Sequence, residues 1–180
     1  LVITLKDPIT TTSFIDRFLV AAQAYTIKTT LIFNKFDTYK KNEIKNLNET
    51  INIYKKIGYQ CLTLSTKDLS NIEALKQLIK GKTIMLGGHS GVGKTSIVNM
   101  LKPSLNLKVS GISQRSQGKH TTTYAELFEL DSETELIDTP GIKGFGLINY
   151  DNYELGDYFP EFLSNKDGCK FSNCMHLNEP

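Results

Sequence analysis

The sequence predicts an α/β fold with a mostly parallel sheet and helices on both faces. Three observations carry this. Short apolar runs alternate with segments whose apolar residues recur at three- and four-residue steps. Gly88-His89-Ser90-Gly91-Val92-Gly93-Lys94-Thr95, of the form Gly-x-x-x-x-Gly-Lys-Thr, lies between one such run and one such segment. Other apolar runs end in short polar stretches with their own chemistry: Asn34-Lys35-Phe36-Asp37, Ser65-Thr66-Lys67 and Asp138-Thr139-Pro140-Gly141.

In chain order, 1–5 reads as a strand and 13–25 as an amphipathic helix with Phe14, Phe18 and Ala22 on one face. The run 30–33 is a strand ending in Asn34. Ile44, Leu47, Ile51 and Tyr54 mark a helix that Gly58 closes. The run 61–64 is expected to be a buried strand, with Cys61 a small core residue. Ser70-x-x-Glu73 has the form of a capping box for a helix carrying Ile72, Leu75 and Leu78. The strand 83–86 delivers the glycine-rich loop. Residues 124–130 alternate polar and apolar as an antiparallel edge strand does, and 135–137 lead into Asp138.

The 180 residues suit one domain with a small appendage, and 39% hydrophobic and 22% charged residues are ordinary for a globular chain. The mean hydropathy is −0.24. No apolar run approaches the roughly 18–20 residues that span a bilayer, and no signal-peptide pattern opens the chain. A net charge of +2 permits nucleic-acid contact without arguing for it. The arginines are Arg17 and Arg115, so no compact arginine patch forms. Three cysteines make no disulfide framework, which favours a reducing cytoplasm. A monomer is expected. The chain starts at Leu1 and stops at Pro180 within a Cys/His cluster, so it reads as a piece of a longer protein.

The glycine-rich loop is the most specific signal. Its glycines let backbone N–H groups turn inward around phosphates, and the N-terminus of the following helix favours negative charge. Lys94 is placed to reach β- and γ-phosphate oxygens, the Thr95 hydroxyl to ligate Mg²⁺, and Ser96 continues the loop into the helix.

Asn34-Lys35-Phe36-Asp37 has the form Asn-Lys-x-Asp, which reads guanine. The Asp37 carboxylate can accept from both N1–H and N2–H₂ of that base, a match adenine does not offer. The Lys35 stem can lie along the ring. Backbone N–H groups of Ser65-Thr66-Lys67 can meet guanine O6. In an ordinary GTPase the phosphate loop opens the domain and the guanine reader closes it. Here the reader comes first, which predicts a circularly permuted P-loop GTPase domain.

Asp138-Thr139-Pro140-Gly141 supplies a carboxylate that can hold Mg²⁺ through water and a Gly141 N–H that can sense the γ-phosphate. Ile142 follows, where many GTPases carry a glutamine that positions water. The polar segment 111–123 is the natural switch, with Thr122 expected on Mg²⁺ and Thr121 as the alternative. His120 is the candidate catalytic residue for orienting water, set against the plainer reading of a solvated loop histidine. Near the end, Cys169, Cys174 and His176 suit three corners of a tetrahedral Zn²⁺ site whose fourth ligand would lie beyond Pro180.

In this order, Asn-Lys-x-Asp, Ser-x-Lys, Gly-x-Ser-Gly-Val-Gly-Lys-Thr-Ser, Gly-Lys-His-Thr-Thr-Thr, Asp-Thr-Pro-Gly and Cys-x-x-x-x-Cys-x-His-x-x-Glu-Pro resemble the RsgA (YjeQ-type) GTPases, over nearly the whole chain. Phe145-Gly146-Leu147 and Phe159-Pro160-Glu161-Phe162 are similar to that family too. The resemblance implies a GTPase that acts late in small-ribosomal-subunit assembly, with the subunit and its rRNA as partners. It implies a GTPase domain over 1–163 and the start of a zinc-binding region over 164–180. It also implies an N-terminal OB-fold outside this chain, a fourth zinc ligand that is a cysteine two residues after Glu-Pro, and a switch histidine substituting for glutamine. Rival readings are a permuted GTPase of large-subunit assembly, a nucleotide-dependent switch with negligible hydrolysis, and an ATP-dependent kinase. The Cys/His cluster and Lys119-His120-Thr121-Thr122-Thr123 argue against the first, and Asp37 against the last.

Overall fold

A computed structural model describes residues 1–109, 124–142, 145–147, 150–171 and 174. Strands β1 (Val2–Ile3), β2 (Thr30–Phe33) and β3 (Gln60–Thr63) pair in parallel, in the order β1-β2-β3. Strands β4 (Thr83–Leu86), β5 (Glu126–Glu129) and β6 (Glu135–Asp138) form a second set in the order β4-β6-β5, with β4 and β6 parallel and β5 antiparallel at the edge. Val2 N–H donates to the Gly87 carbonyl at 2.8 Å and joins the two sets.

Alternation along the central strands explains why both faces are covered. Ile3, Leu31 and Phe33 pack on one face against helix α1 (Thr12–Ala24) and helix α2 (Lys41–Ile57), through Phe14, Ile15, Leu19, Leu47 and Ile51. Val2, Ile32 and Leu136 pack on the other against helix α3 (Ile72–Ile79) and helix α4 (Lys94–Leu101), through Leu75, Ile79, Ile97 and Val98. The mostly parallel sheet and its two helical layers are as expected. So is β5 as an antiparallel edge.

Local signals set the helix ends. Thr11 caps α1 by accepting from the Phe14 N–H, and Gly58 ends α2 in the left-handed region at φ +111°. The expected capping box at Ser70 does not form. The Ser70 hydroxyl and N–H both turn to the Asp68 carboxylate, and α3 starts from Asn71 in the left-handed region without a side-chain cap. A local turn of this kind competes directly with capping. The expectation of a buried 61–64 strand is corrected as well. As the last strand of its set β3 is half-buried, and Cys61 packs at the margin of the α1/α2 core.

Short helices α5 (Asn152–Leu155) and α6 (Pro160–Leu163) follow, and the Phe159 and Phe162 rings lie 5.4 Å apart. No helix among the described residues is long and apolar enough to cross a membrane.

Candidate nucleotide site

Parallel strands bring their carboxyl ends to one edge, where open α/β sheets bind ligands. The segments after β2, β3, β4 and β6 are the four motifs of the sequence, and side-chain hydrogen bonds tie them together. Asn34 is fully buried at the end of β2, and its Nδ2 donates to the Val92 carbonyl inside the glycine-rich loop at 2.8 Å. Asn34 Oδ1 is buried with no hydrogen-bond partner among the described residues. Gly93, at φ +99°, passes so close to Asn34 Nδ2 that a Cβ there would collide with it. The last glycine of the loop is therefore required by the guanine-reading element as well as by its own backbone.

Lys35 turns the chain through a left-handed conformation at φ +60° into a 3₁₀ turn over Phe36–Thr38. Phe36 N–H donates to the Leu64 carbonyl at 3.0 Å, which fixes this turn beside the end of β3. There the buried Ser65 hydroxyl donates to Asp37 Oδ1 at 2.7 Å and accepts from the Lys67 N–H at 3.2 Å. Thr66 lies between them, half-buried. One oxygen of the exposed Asp37 carboxylate is thus oriented by protein, and the carboxylate presents its acceptors to solvent. Lys35 Nζ donates to the Asp7 carbonyl at 2.5 Å. Burial lowers the Lys35 pKa, while the charges of Asp7 and Asp37 oppose the shift.

The phosphate loop turns at Gly88, Gly91 and Gly93, all at positive φ, and a Cβ on Gly88 would strike the Val2 carbonyl oxygen. Fully buried Val92 anchors it from below. Lys94 opens α4 with only 7% of its surface exposed, and its Nζ donates to the Gly88 and His89 carbonyls at 2.9 and 3.1 Å. The ammonium therefore lies across the mouth of the loop. Burial lowers its pKa and the Asp138 charge opposes that. Thr95 and Ser96 follow, half-buried in the first turn, and Ser90 at the crest is exposed.

The strand β6 delivers Asp138 to the same place, 2% exposed. The Thr139 hydroxyl donates to the Leu86 carbonyl at 2.7 Å, and Ile142 N–H to the Gly88 carbonyl at 3.1 Å, which docks this segment on the loop. A Cβ on Gly141 would lie 2.6 Å from Ser90 Cα, so only glycine fits. Ile142 is half-buried and packs against the α1/α2 core, and its apolar side chain cannot orient water.

The donor set fits a guanine nucleotide with Mg²⁺: an oriented carboxylate, a loop turning at three positive-φ glycines, a buried ammonium, and hard oxygens at Thr95 and Asp138. His120, Thr121, Thr122 and His176 lie outside the described residues. Of the expected zinc ligands Cys169 and Cys174 are described, both half-buried. No group of three metal-ligating side chains occurs among the described residues.

Sequence reasoning missed two features of this edge. The loop after β1 folds back through a Leu5–Ile9 bridge and brings Pro8 within 3.7 Å of the position of a Gly91 Cβ. His89 stacks on Phe14, with ring centroids 3.9 Å apart. Pro8 and the polar residue at position 89 were the available signals, but neither names its partner.

Known proteins share this fold. The chain is 50% identical to the small ribosomal subunit biogenesis GTPase RsgA of Christiangramia forsetii and 51% identical to that of Flavobacterium psychrophilum. Each alignment covers the whole of this chain, which spans only 58% and 56% of those relatives. The crystal structure of YjeQ from Thermotoga maritima superposes with a TM-score of 0.81 at 36% identity, over 99% of this chain and 59% of that one. YloQ, a circularly permuted GTPase, superposes at 0.77 with 28% identity, over all of this chain and 56% of its own. The model of the RsgA GTPase family matches residues 1–148, and the chain belongs to that family.

Proposed function

We propose that this chain binds GTP and, within its full-length protein, hydrolyses it during late maturation of the small ribosomal subunit. One observation carries the reading: the Asn34–Val92 bond ties the Asn-Lys-x-Asp segment, with its exposed Asp37 carboxylate, to the glycine-rich loop on one sheet edge. The relatives named for small-subunit biogenesis support the biological setting. Asp37 selects the base, Lys35 and Phe36 flank it, and the Thr66 N–H meets its O6, since the Lys67 N–H is given to the Ser65 hydroxyl and the Ser65 N–H to the Ser70 carbonyl. The loop from Gly88 to Gly93, with Lys94 and Ser96, holds the phosphates. Thr95, Asp138 and Thr122 hold Mg²⁺, which when bound neutralises charge developing on the phosphate oxygens. His120 orients the attacking water.

Residues 1–163 form the GTPase domain, and 164–180 begin a region in which Cys169, Cys174 and His176 bind Zn²⁺ with a ligand beyond Pro180. The protein works in the cytoplasm as a monomer, on rRNA of the small subunit. Ile142 supports a second reading, a nucleotide-dependent switch with negligible hydrolysis. Steady-state turnover of GTP and ATP by the intact protein, with and without purified small subunits, separates the two. GTP-specific turnover that rises with subunits is expected. Tight GTP binding without stimulated turnover selects the switch, and equal use of ATP overturns the guanine assignment.

A further inference from the structure

The geometry points to His89 as a positioning residue that latches the Asp138–Ile142 segment onto the phosphate loop and so sets the preference for a triphosphate over a diphosphate. His89 Nδ1 lies 2.8 Å from the Ile142 carbonyl oxygen. A carbonyl only accepts, so Nδ1 carries the proton and donates. The Ile142 N–H meanwhile donates to the Gly88 carbonyl at 3.1 Å. Two consecutive loop residues thus grip one residue of the segment from both sides of its peptide backbone, as a strand pair would.

The imidazole is itself held. It lies on the Phe14 ring at 3.9 Å between centroids with a 32° tilt, and Phe14 is 2% exposed in the α1/α2 core. Phe145, three residues beyond Ile142, packs edge-on against the same Phe14 ring at 6.3 Å. A rigid ring therefore aims the donor, which spends little rotamer freedom on the bond. The latch acts one residue away, at Gly141. Gly141 is pressed on Ser90 at the crest of the phosphate loop, and its N–H is the group expected to sense the terminal phosphate. Holding Ile142 by both backbone groups restrains the Gly141 Cα and, through it, the adjoining Pro140–Gly141 peptide that carries this N–H. Only a triphosphate offers the matching oxygen, so the latch favours GTP over GDP.

This inference rests on the GTPase reading, and two measurements on the intact protein keep the two apart. The first is the ratio of affinities for a non-hydrolysable GTP analogue and for GDP, in the parent, His89→Leu and His89→Asn. Leucine keeps an apolar contact with Phe14 and removes the donor, whereas the asparagine amide restores a donor near the Nδ1 position. The ratio is expected to fall roughly three- to tenfold in His89→Leu, the span of one net hydrogen bond, and to stay within about twofold of the parent in His89→Asn. A ratio that is unchanged or higher in His89→Leu, or that falls equally in both variants, overturns the latch. The second is hydrogen exchange of the Ile142 amide in the nucleotide-free protein, which needs no ligand. Several-fold faster exchange in His89→Leu than in His89→Asn supports the latch, and equal rates overturn it even if the protein binds no guanine nucleotide.

Discussion

The side-chain amide of Asn34 donates to the main-chain carbonyl of Val92 at 2.8 Å, across 58 residues of sequence and beneath both nucleotide motifs. The Asn-Lys-x-Asp segment and the glycine-rich loop are therefore one hydrogen-bonded unit, although the permutation places them in reversed order. Both groups are buried, so losing the donor strands an acceptor. Asn34→Ala is expected to destabilise the chain by about 1–3 kcal/mol, measured by urea unfolding. Asn34→Asp should cost more, because a buried carboxylate faces the same carbonyl with no proton to give. A stability within a few tenths of the parent for both variants would show that the bond contributes nothing.

The Ser65 hydroxyl orients one oxygen of Asp37, leaving the carboxylate to face a base with two adjacent donors. Asp37→Asn is expected to weaken GTP binding and to favour xanthosine triphosphate, whose O2 requires a donor. Competition with a fluorescent nucleotide reads both affinities in one experiment. GTP affinity equal to the parent would remove Asp37 from base recognition.

Lys94 is a buried cation at the proposed site, and an interaction with phosphate oxygens would be charge-assisted. Lys94→Ala should lose about 1.5–3 kcal/mol, a fall of tenfold or more in nucleotide affinity by calorimetry. The pH dependence has a definite sign. Burial lowers the folded-state pKa below the ordinary 10.5, so folding disfavours the charged form. The cost to stability is carried in full below the folded pKa and is relieved as pH rises through it. Phosphate has the opposite preference, for the charged form. GTP affinity should decline as pH rises, starting below 10.5, with proton uptake on binding in that window. Calorimetry in two buffers of different ionisation enthalpy measures the uptake, and its absence across the alkaline range would contradict the assignment.

What was legible in the sequence follows from how local each signal is. Strand ends carry the motifs here, so short apolar runs and their polar terminations located Asn34, Ser65, Gly88 and Asp138. The run at Cys61 showed that a strand exists but not that it lies at the sheet margin, because apolarity cannot tell an edge from a centre. Ser70 failed as a cap because Asp68 lies two residues away and takes both its hydroxyl and its N–H. Glu43 supports the start of α2 by accepting from the Lys40 N–H at 2.8 Å, which no capping side chain at position 40 announced. His89 was placed in the phosphate loop but its partners were not legible, because Phe14 and Ile142 lie far off in sequence and converge only in the fold.

Ile142 occupies the position from which a glutamine would orient water, yet its side chain packs against the α1/α2 core and its backbone is held by Gly88 and His89. Position 142 is fixed in place but offers no polar side chain to an attacking water, so the isolated protein should turn over slowly. Contact with the small subunit would bring His120 to that water, and the rate gain would come from positioning. His120→Ala is expected to lose most of the subunit-stimulated turnover while GTP affinity stays close to that of the parent, the pattern of an interaction made only in the transition state. Single-turnover hydrolysis by the intact protein, at saturating small subunits, reads the chemical step directly. Stimulation of the alanine variant to the parent's rate would assign the water to another group, and a parallel loss of affinity would make His120 a binding residue instead.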